Sequence, residues 1–164
     1  MSSLLIPIQM RFGDIDSYGH VNNVTMLQYL EDARVRLMSR ALPEDAAAGI
    51  PEGASFRSLL GERQTVIGRQ EIEYTEQLLY RPEPVFVRVW VSSVGGSSFV
   101  LDYAVQEEDG SRVYAVAQTA VVQIDRRTGR PVRLDGTQRE LLEQWVDAPT
   151  RFARRPAPAE ARAR

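Results

Sequence analysis

Residues 85–124 carry the pattern that most limits the fold. Val85, Val87, Val89 and Val91 alternate with Phe86, Arg88 and Trp90, and beyond Gly95-Gly96 the alternation resumes with Phe99, Leu101, Tyr103 and Val105. Asp109-Gly110 then turns the chain into a third β-rich run, 112–124. A period of two puts successive side chains on opposite faces of a sheet, and glycine in the connections supplies the tight turns. The spacing therefore predicts an antiparallel meander with strands at about 85–94, 98–107 and 112–124.

What precedes the meander has a different period. Met26, Leu30, Ala33, Leu37 and Ala41 recur every three or four residues, the spacing of one helix face, with Val24, Leu27 and Met38 widening the stripe. Gln28, Asp32, Arg36 and Arg40 occupy the other side, with Asp32 and Arg36 four apart and able to pair. This predicts a helix from Val24 to about Leu42, stopped at Pro43 and largely enclosed by sheet. Residues 4–12 read as a first strand, which Pro7 pushes to an edge. Residues 43–61 read as an irregular connection with a short helical turn, 64–79 as a poorly alternating strand, and 137–147 as a short helix carrying Leu141, Leu142 and Trp145. The predicted class is α+β: one domain over residues 1–148, followed by a Pro/Ala/Arg tail at 149–164 that lacks periodicity and is expected to be disordered.

Composition removes several chemistries. The 164 residues include no Lys, so all 20 basic residues are Arg, and Schiff-base or Walker A lysine chemistry has no residue to use. There is no Cys for a thiolate nucleophile, and one histidine, His20, rules out two-histidine metal motifs. No metal or cofactor is expected. Residues 149–164 carry five Arg against one Glu, so the other 148 residues are net −6 within an overall charge of −2. An acidic body argues against nucleic-acid binding. With no run near the ~20 apolar residues of a membrane span and no signal-peptide pattern, a cytoplasmic enzyme or binding protein is expected.

The loop before the helix concentrates the polar residues. Asp14 and Asp16 stand two apart ahead of Gly19-His20-Val21-Asn22-Asn23 and the helix start. Aspartates favour turns and asparagines favour caps, which explains the segment structurally. The functional alternative sets a carboxylate beside free helix N–H groups, where it can deprotonate water or attack a carbonyl while those groups hold the oxyanion. His20 is read either as a donor to a carbonyl or as a turn residue. Glu31 can pair with Arg34 or serve as a carboxylate catalyst. A triad of Ser97 or Ser98 with His20 and Asp16 lacks a nucleophile elbow, and one short loop could not easily set His20 between its partners. Phe86, Arg88 and Trp90 share a strand face that fits an interface, a substrate wall or a core rim.

The segment Arg11-Phe12-Gly13-Asp14-Ile15-Asp16-Ser17-Tyr18-Gly19-His20-Val21-Asn22-Asn23, continuing to Tyr29, Glu31, Ala33 and Arg34, resembles the signature of the hotdog-fold acyl-CoA thioesterases, notably the 4-hydroxybenzoyl-CoA thioesterase-like group. The likeness extends over about residues 4–147. It implies a long central helix wrapped by a curved antiparallel sheet, a homodimer or homotetramer with sites at the dimer interface, and hydrolysis of an acyl-CoA to a carboxylic acid and CoA. By this resemblance Asp16 is the catalytic base or nucleophile. Backbone N–H groups of Gly19, His20 and Val21, with Asn23 nearby, activate the carbonyl, and Asp14 stabilises the loop. Met26 stands where the family has a Tyr, which removes a hydroxyl from the acyl pocket and mildly favours an aliphatic substrate. Arg57, Arg69, Arg88 and the tail are candidates for CoA phosphates. A thioesterase acting on acyl carrier protein and a non-catalytic acyl-CoA-binding protein are the alternatives.

Overall fold

The computed structural model describes residues 3–42 and 50–153. The elements run β1 (Leu4–Ile8), α1 (Asn23–Ser39), β2 (Arg63–Tyr74), β3 (Val85–Val94), β4 (Ser98–Gln106), β5 (Val113–Asp125) and α2 (Gly136–Glu143), with single 3-10 turns at Phe12–Asp14 and Ser58–Leu60. Pro43, which was to stop the helix, lies outside the described residues, as do the Arg-rich residues 154–164. The helix ends earlier, where Arg40 turns to extended backbone at φ −67° and ψ 136°.

The five strands form one antiparallel sheet in the order β1-β3-β4-β5-β2. The predicted meander is its centre. Val85, Val87, Val89 and Val91 of β3 point to one face with Phe99, Leu101, Tyr103 and Val105 of β4, and all are buried. β1 is an edge strand, so Pro7, which has no N–H to donate, interrupts no central ladder. Strand β2 shifts register between Ile67 and Arg69, and this bulge at Gly68 explains its poor alternation.

The expectation of one long central helix wrapped by a curved sheet is overturned. The sheet is open, with β1 and β2 as separate edges, and the described residues hold two short helices, α1 of 17 residues and α2 of 8. Helix α1 buries one face, with Met26, Tyr29, Leu30, Ala33, Leu37 and Met38, against β1 and β3. Its apolar stripe is narrower than the sequence implied, since Val24 is 60% exposed. A helix with one buried stripe needs one sheet face, not an enclosure. Arg36 donates to the Pro7 carbonyl at 2.9 Å, fastening α1 to the β1 edge instead of pairing with Asp32.

Beyond α2 the chain runs alongside the edge of β3 through the parallel Val91–Val146 bridge and then passes to the opposite sheet face. Trp145 O accepts from Val91 N, the Trp90 indole donates to Ala148 O at 2.9 Å, and Thr150 N donates to the buried Asp102 carboxylate. The face shared by Phe86, Arg88 and Trp90 is thus partly covered by the chain's own residues 146–153, with Arg88 stacked 4.9 Å over Trp90 and bonded to Asp147.

Candidate active site

The loop between β1 and α1 is fixed at both ends. Asp14, only 5% exposed, accepts from the Tyr29 hydroxyl at 2.6 Å and from Arg11 N at 2.8 Å, while its carbonyl accepts from Asn22 N at 2.8 Å. Burial and the Asp14 bond push the Tyr29 phenol well above its ordinary pKa, so it stays a donor. Asp14 is therefore a structural carboxylate, tying loop to helix. Ile15 pairs with Val21 across the loop, which returns the chain to the helix start within six residues of Asp16.

Asp16 sits on the inside of this return and is half-buried. Its Oδ1 accepts from Tyr18 N at 2.8 Å and His20 N at 3.2 Å, and its backbone N donates to His20 O at 2.8 Å. Gly19 has φ +82°, a conformation that costs an L side chain about 1 kcal/mol or more. Its N donates to Asp16 O. One carboxylate oxygen is thus anchored, leaving Oδ2 without a hydrogen-bond partner among the described residues.

The amides assigned to the oxyanion from sequence are engaged. Gly19 N bonds Asp16 O, His20 N bonds Asp16 Oδ1, and Val21 N donates to Leu78 O at 2.8 Å. The open donors lie one step further on. Asn22 caps α1, its Oδ1 accepting from Val24 N at 2.8 Å and its carbonyl from Met26 N, so the amides of Asn23 and Thr25 are left without acceptors among the described residues. The structure brings Asp16, His20 and Asn23 to one end of α1. It adds Tyr74, whose hydroxyl donates to Asn23 O at 3.1 Å and which sequence reasoning left out of the site, because the contact spans 51 residues.

Other candidates separate from this end. Glu31 is 64% exposed on its side chain and pairs with Arg34 at 3.3 Å, the structural reading of that residue. Met26 is buried in the core rather than lining a pocket, so its departure from the family pattern is a packing substitution. Arg69 pairs with Glu71 and Arg88 with Asp147. A small apolar cavity of about 20 Å³ lies at the far end of α1, between Leu37, Phe56, Leu142 and Trp145, away from Asp16. Among the described residues no three His, Asp or Glu side chains gather to hold a metal ion, and no helix is long and apolar enough to cross a membrane.

The surroundings of Asp16 are apolar and uncovered. Phe12 is 77% exposed, Tyr18 82%, Val24 60% and Leu79 59%, and Phe12 meets Tyr80 edge-on at 5.8 Å. Large side chains left in water around one loop mark an interaction surface.

The family model of the thioesterase-like superfamily matches residues 10–152. The long-chain acyl-CoA thioesterase FadM of Escherichia coli (strain K12) is 27% identical over 140 residues, covering 85% of this chain and 96% of its own. The uncharacterized protein YsmA of Bacillus subtilis (strain 168) is 26% identical over 136 residues, 82% of each chain. Among solved structures, a thioesterase from Thermus thermophilus complexed with coenzyme A and Zn superposes with a TM-score of 0.65 at 28% identity, covering 86% of this chain and 92% of its own. The chain belongs to the hotdog-fold thioesterase-like superfamily, whose general chemistry is thioester hydrolysis.

Proposed function

We propose that the protein hydrolyses acyl-CoA thioesters, with Asp16 as the reacting carboxylate. The observation that carries this reading is the pairing of a half-anchored carboxylate, Asp16, with open first-turn amides of α1 at Asn23 and Thr25. A thioester carbonyl docks on the Asn23 amide, where the helix N-terminus favours negative charge. Asp16 Oδ2 takes a proton from water as the water oxygen adds to the carbonyl carbon. The tetrahedral oxyanion then collapses, the C–S bond breaks, and the CoA thiolate leaves and recovers the proton from Asp16. Thiolate is a good leaving group, so this route needs no strong acid. Direct attack by Asp16, giving a mixed anhydride that water then cleaves, uses the same atoms. His20, bonded through its backbone, holds the carboxylate in place.

The site is completed by a second copy. Strand β2 is a 12-residue edge, much longer than the β1 edge with its Pro7, and a long unpaired edge is a template for pairing. Pairing through β2 brings the exposed Tyr74 and the apolar surround of Asp16 toward the partner. A homodimer with sites at the interface follows, and two dimers can make a tetramer.

The test is hydrolysis of a panel from acetyl- to palmitoyl-CoA, plus benzoyl-CoA, read as released thiol; a chain without Cys adds no thiol of its own. Turnover with a chain-length preference supports the reading. Turnover only on acyl carrier protein, or binding of acyl-CoA without turnover, replaces it.

A further inference from the structure

The two ends of β2 differ in charge. At the Tyr74 end, beside Asp16, arginines are held by carboxylates: Arg11 by Asp14 at 3.5 Å, Arg81 by Glu107 at 2.6 Å and Arg112 by Glu76 at 2.6 Å. Glu108 and Asp109 are exposed there as well, and the exposed Arg151 belongs to the segment that crosses the other sheet face. At the Arg63 end the balance reverses. Arg126, Arg127, Arg130 and Arg133 are all exposed, and none forms an ion pair among the described residues. Of the carboxylates nearby, Asp135 pairs with Arg63 at 3.0 Å, Glu62 stays exposed, and Asp125 is taken up by the turn itself. Its Oδ1 accepts from Thr128 N at 2.6 Å, its N donates to Arg130 O at 3.0 Å, and its carbonyl accepts from Gly129 N at 2.9 Å. Arg126 N donates to Glu62 O at 3.3 Å and Ile124 bridges Pro131, so the four arginines stand on a hydrogen-bonded hairpin rather than a loose charged run.

Edge pairing brings these unlike ends together. A strand that pairs antiparallel with its own copy does so about a two-fold axis, which reverses its direction. Full overlap of β2 with its copy sets Tyr74 opposite Arg63 of the partner subunit, and within each copy Arg63 stands opposite Asp125. The partner's hairpin therefore begins in the second strand across the interface, about 10 Å from Tyr74. In CoA the arm between the sulfur and the pyrophosphate has about 13 bonds and spans about 16 Å when extended. A thioester held at Asp16 thus carries its phosphates to the partner's arginines, whereas the arginines of its own site are already occupied by carboxylates.

We infer that Arg126, Arg127, Arg130 and Arg133 of one protomer bind the phosphate groups of the CoA whose thioester lies at Asp16 of the other. This rests on the acyl-CoA reading for its ligand and on pairing through β2 for its geometry. Each site is then built from two copies: the carboxylate and the helix amides come from one, and the phosphate donors from the next. Arginine suits the task because its planar fork matches phosphate oxygens, and the chain has no lysine to share it.

The experiment uses a quadruple variant, Arg126→Gln with Arg127→Gln, Arg130→Gln and Arg133→Gln. The hairpin engages these residues through backbone atoms, so the fold should persist, with circular dichroism and sedimentation as the check. KM for the best acyl-CoA should rise about tenfold or more, while KM for the matching acyl-pantetheine, which lacks the phosphates, should stay within about twofold. Added salt should raise the acyl-CoA KM of the wild type and barely move that of the variant. Equal changes on both substrates, or none on either, overturn the phosphate site. So does an effect confined to acyl carrier protein, which would assign the arginines to a protein surface. Differently tagged Asp16→Asn and quadruple-variant subunits, co-expressed and purified as mixed dimers, then test the crossing. If the arginines act across the interface, each mixed dimer keeps one intact site and regains the wild-type KM. A mixed dimer with the raised KM, or a wild type that sediments as a monomer, overturns the shared site. If no thioester is hydrolysed, calorimetric titration with CoA itself decides. Binding weakened about tenfold in the quadruple variant upholds the phosphate site while the catalytic reading fails, and equal binding removes the site as well.

Discussion

The Tyr29 hydroxyl donates to Asp14 Oδ2 at 2.6 Å, across 15 residues of sequence and beneath the loop that carries Asp16. Helix and loop are joined there by a buried, charge-assisted bond. Tyr29→Phe should cost about 2 kcal/mol of stability, because Asp14 keeps its burial and loses a donor. Urea unfolding checks the stability. The same variant should lower kcat more than it raises KM, since Tyr29 positions the loop without touching substrate.

Gly19 isolates the effect of backbone strain. A Cβ built there meets nothing within 4 Å, so only its φ of +82° opposes a side chain. Gly19→Ala should destabilise the protein by about 1 kcal/mol and disturb the two amide bonds that hold Asp16 Oδ1. A fall in kcat beyond the stability loss, measured well below the melting transition, is the expected sign.

These two residues show what was legible. The strand at 85–94 and the start of α1 follow from periodicity and capping, because both are local. The wrapped helix did not survive: the apolar stripe counted Val24 and Ala41 as core, yet Val24 is exposed and the helix stops before Ala41. Burial of a borderline residue is decided by which strands lie opposite, which periodicity does not encode. The Asp16 loop stood out by composition. The engagement of Val21 N by Leu78 O and of Asn23 O by Tyr74 depends on pairings more than 50 residues apart, which no local pattern announces.

Asp102 anchors the outer sheet face. It is fully buried and accepts from Ser92 Oγ at 2.5 Å, Gln118 Nε2 at 3.0 Å and Thr150 N at 2.5 Å. Asp102→Ala should cost about 2–3 kcal/mol by leaving three donors without their acceptor. It should also loosen residues 146–153, which hydrogen exchange at the Thr150 amide would detect. Unchanged protection at Thr150 would refute the anchor.

Acid stability should depend on Glu107. Arg81 binds both its oxygens, at 2.6 and 2.7 Å, and Tyr114 adds a third donor, holding the carboxyl below its ordinary 4.5. A folded pKa below the unfolded one contributes stability above about pH 4.5 and loses it as pH falls through the folded value. Urea midpoints should decline along that acid limb in the wild type. In Glu107→Gln they should start lower and decline less.

The central claim is that Asp16 carries the chemistry, and one comparison tests it most directly. On the best acyl-CoA of the panel, kcat should be measured for the wild type and for Asp16→Asn, with folding and assembly state matched by circular dichroism and sedimentation. Asparagine keeps the acceptor oxygen for Tyr18 N and His20 N but is neither base nor nucleophile. The account predicts a loss of about 10²–10⁴ in kcat with the fold retained. An Asp16→Asn protein within about threefold of wild type would contradict it.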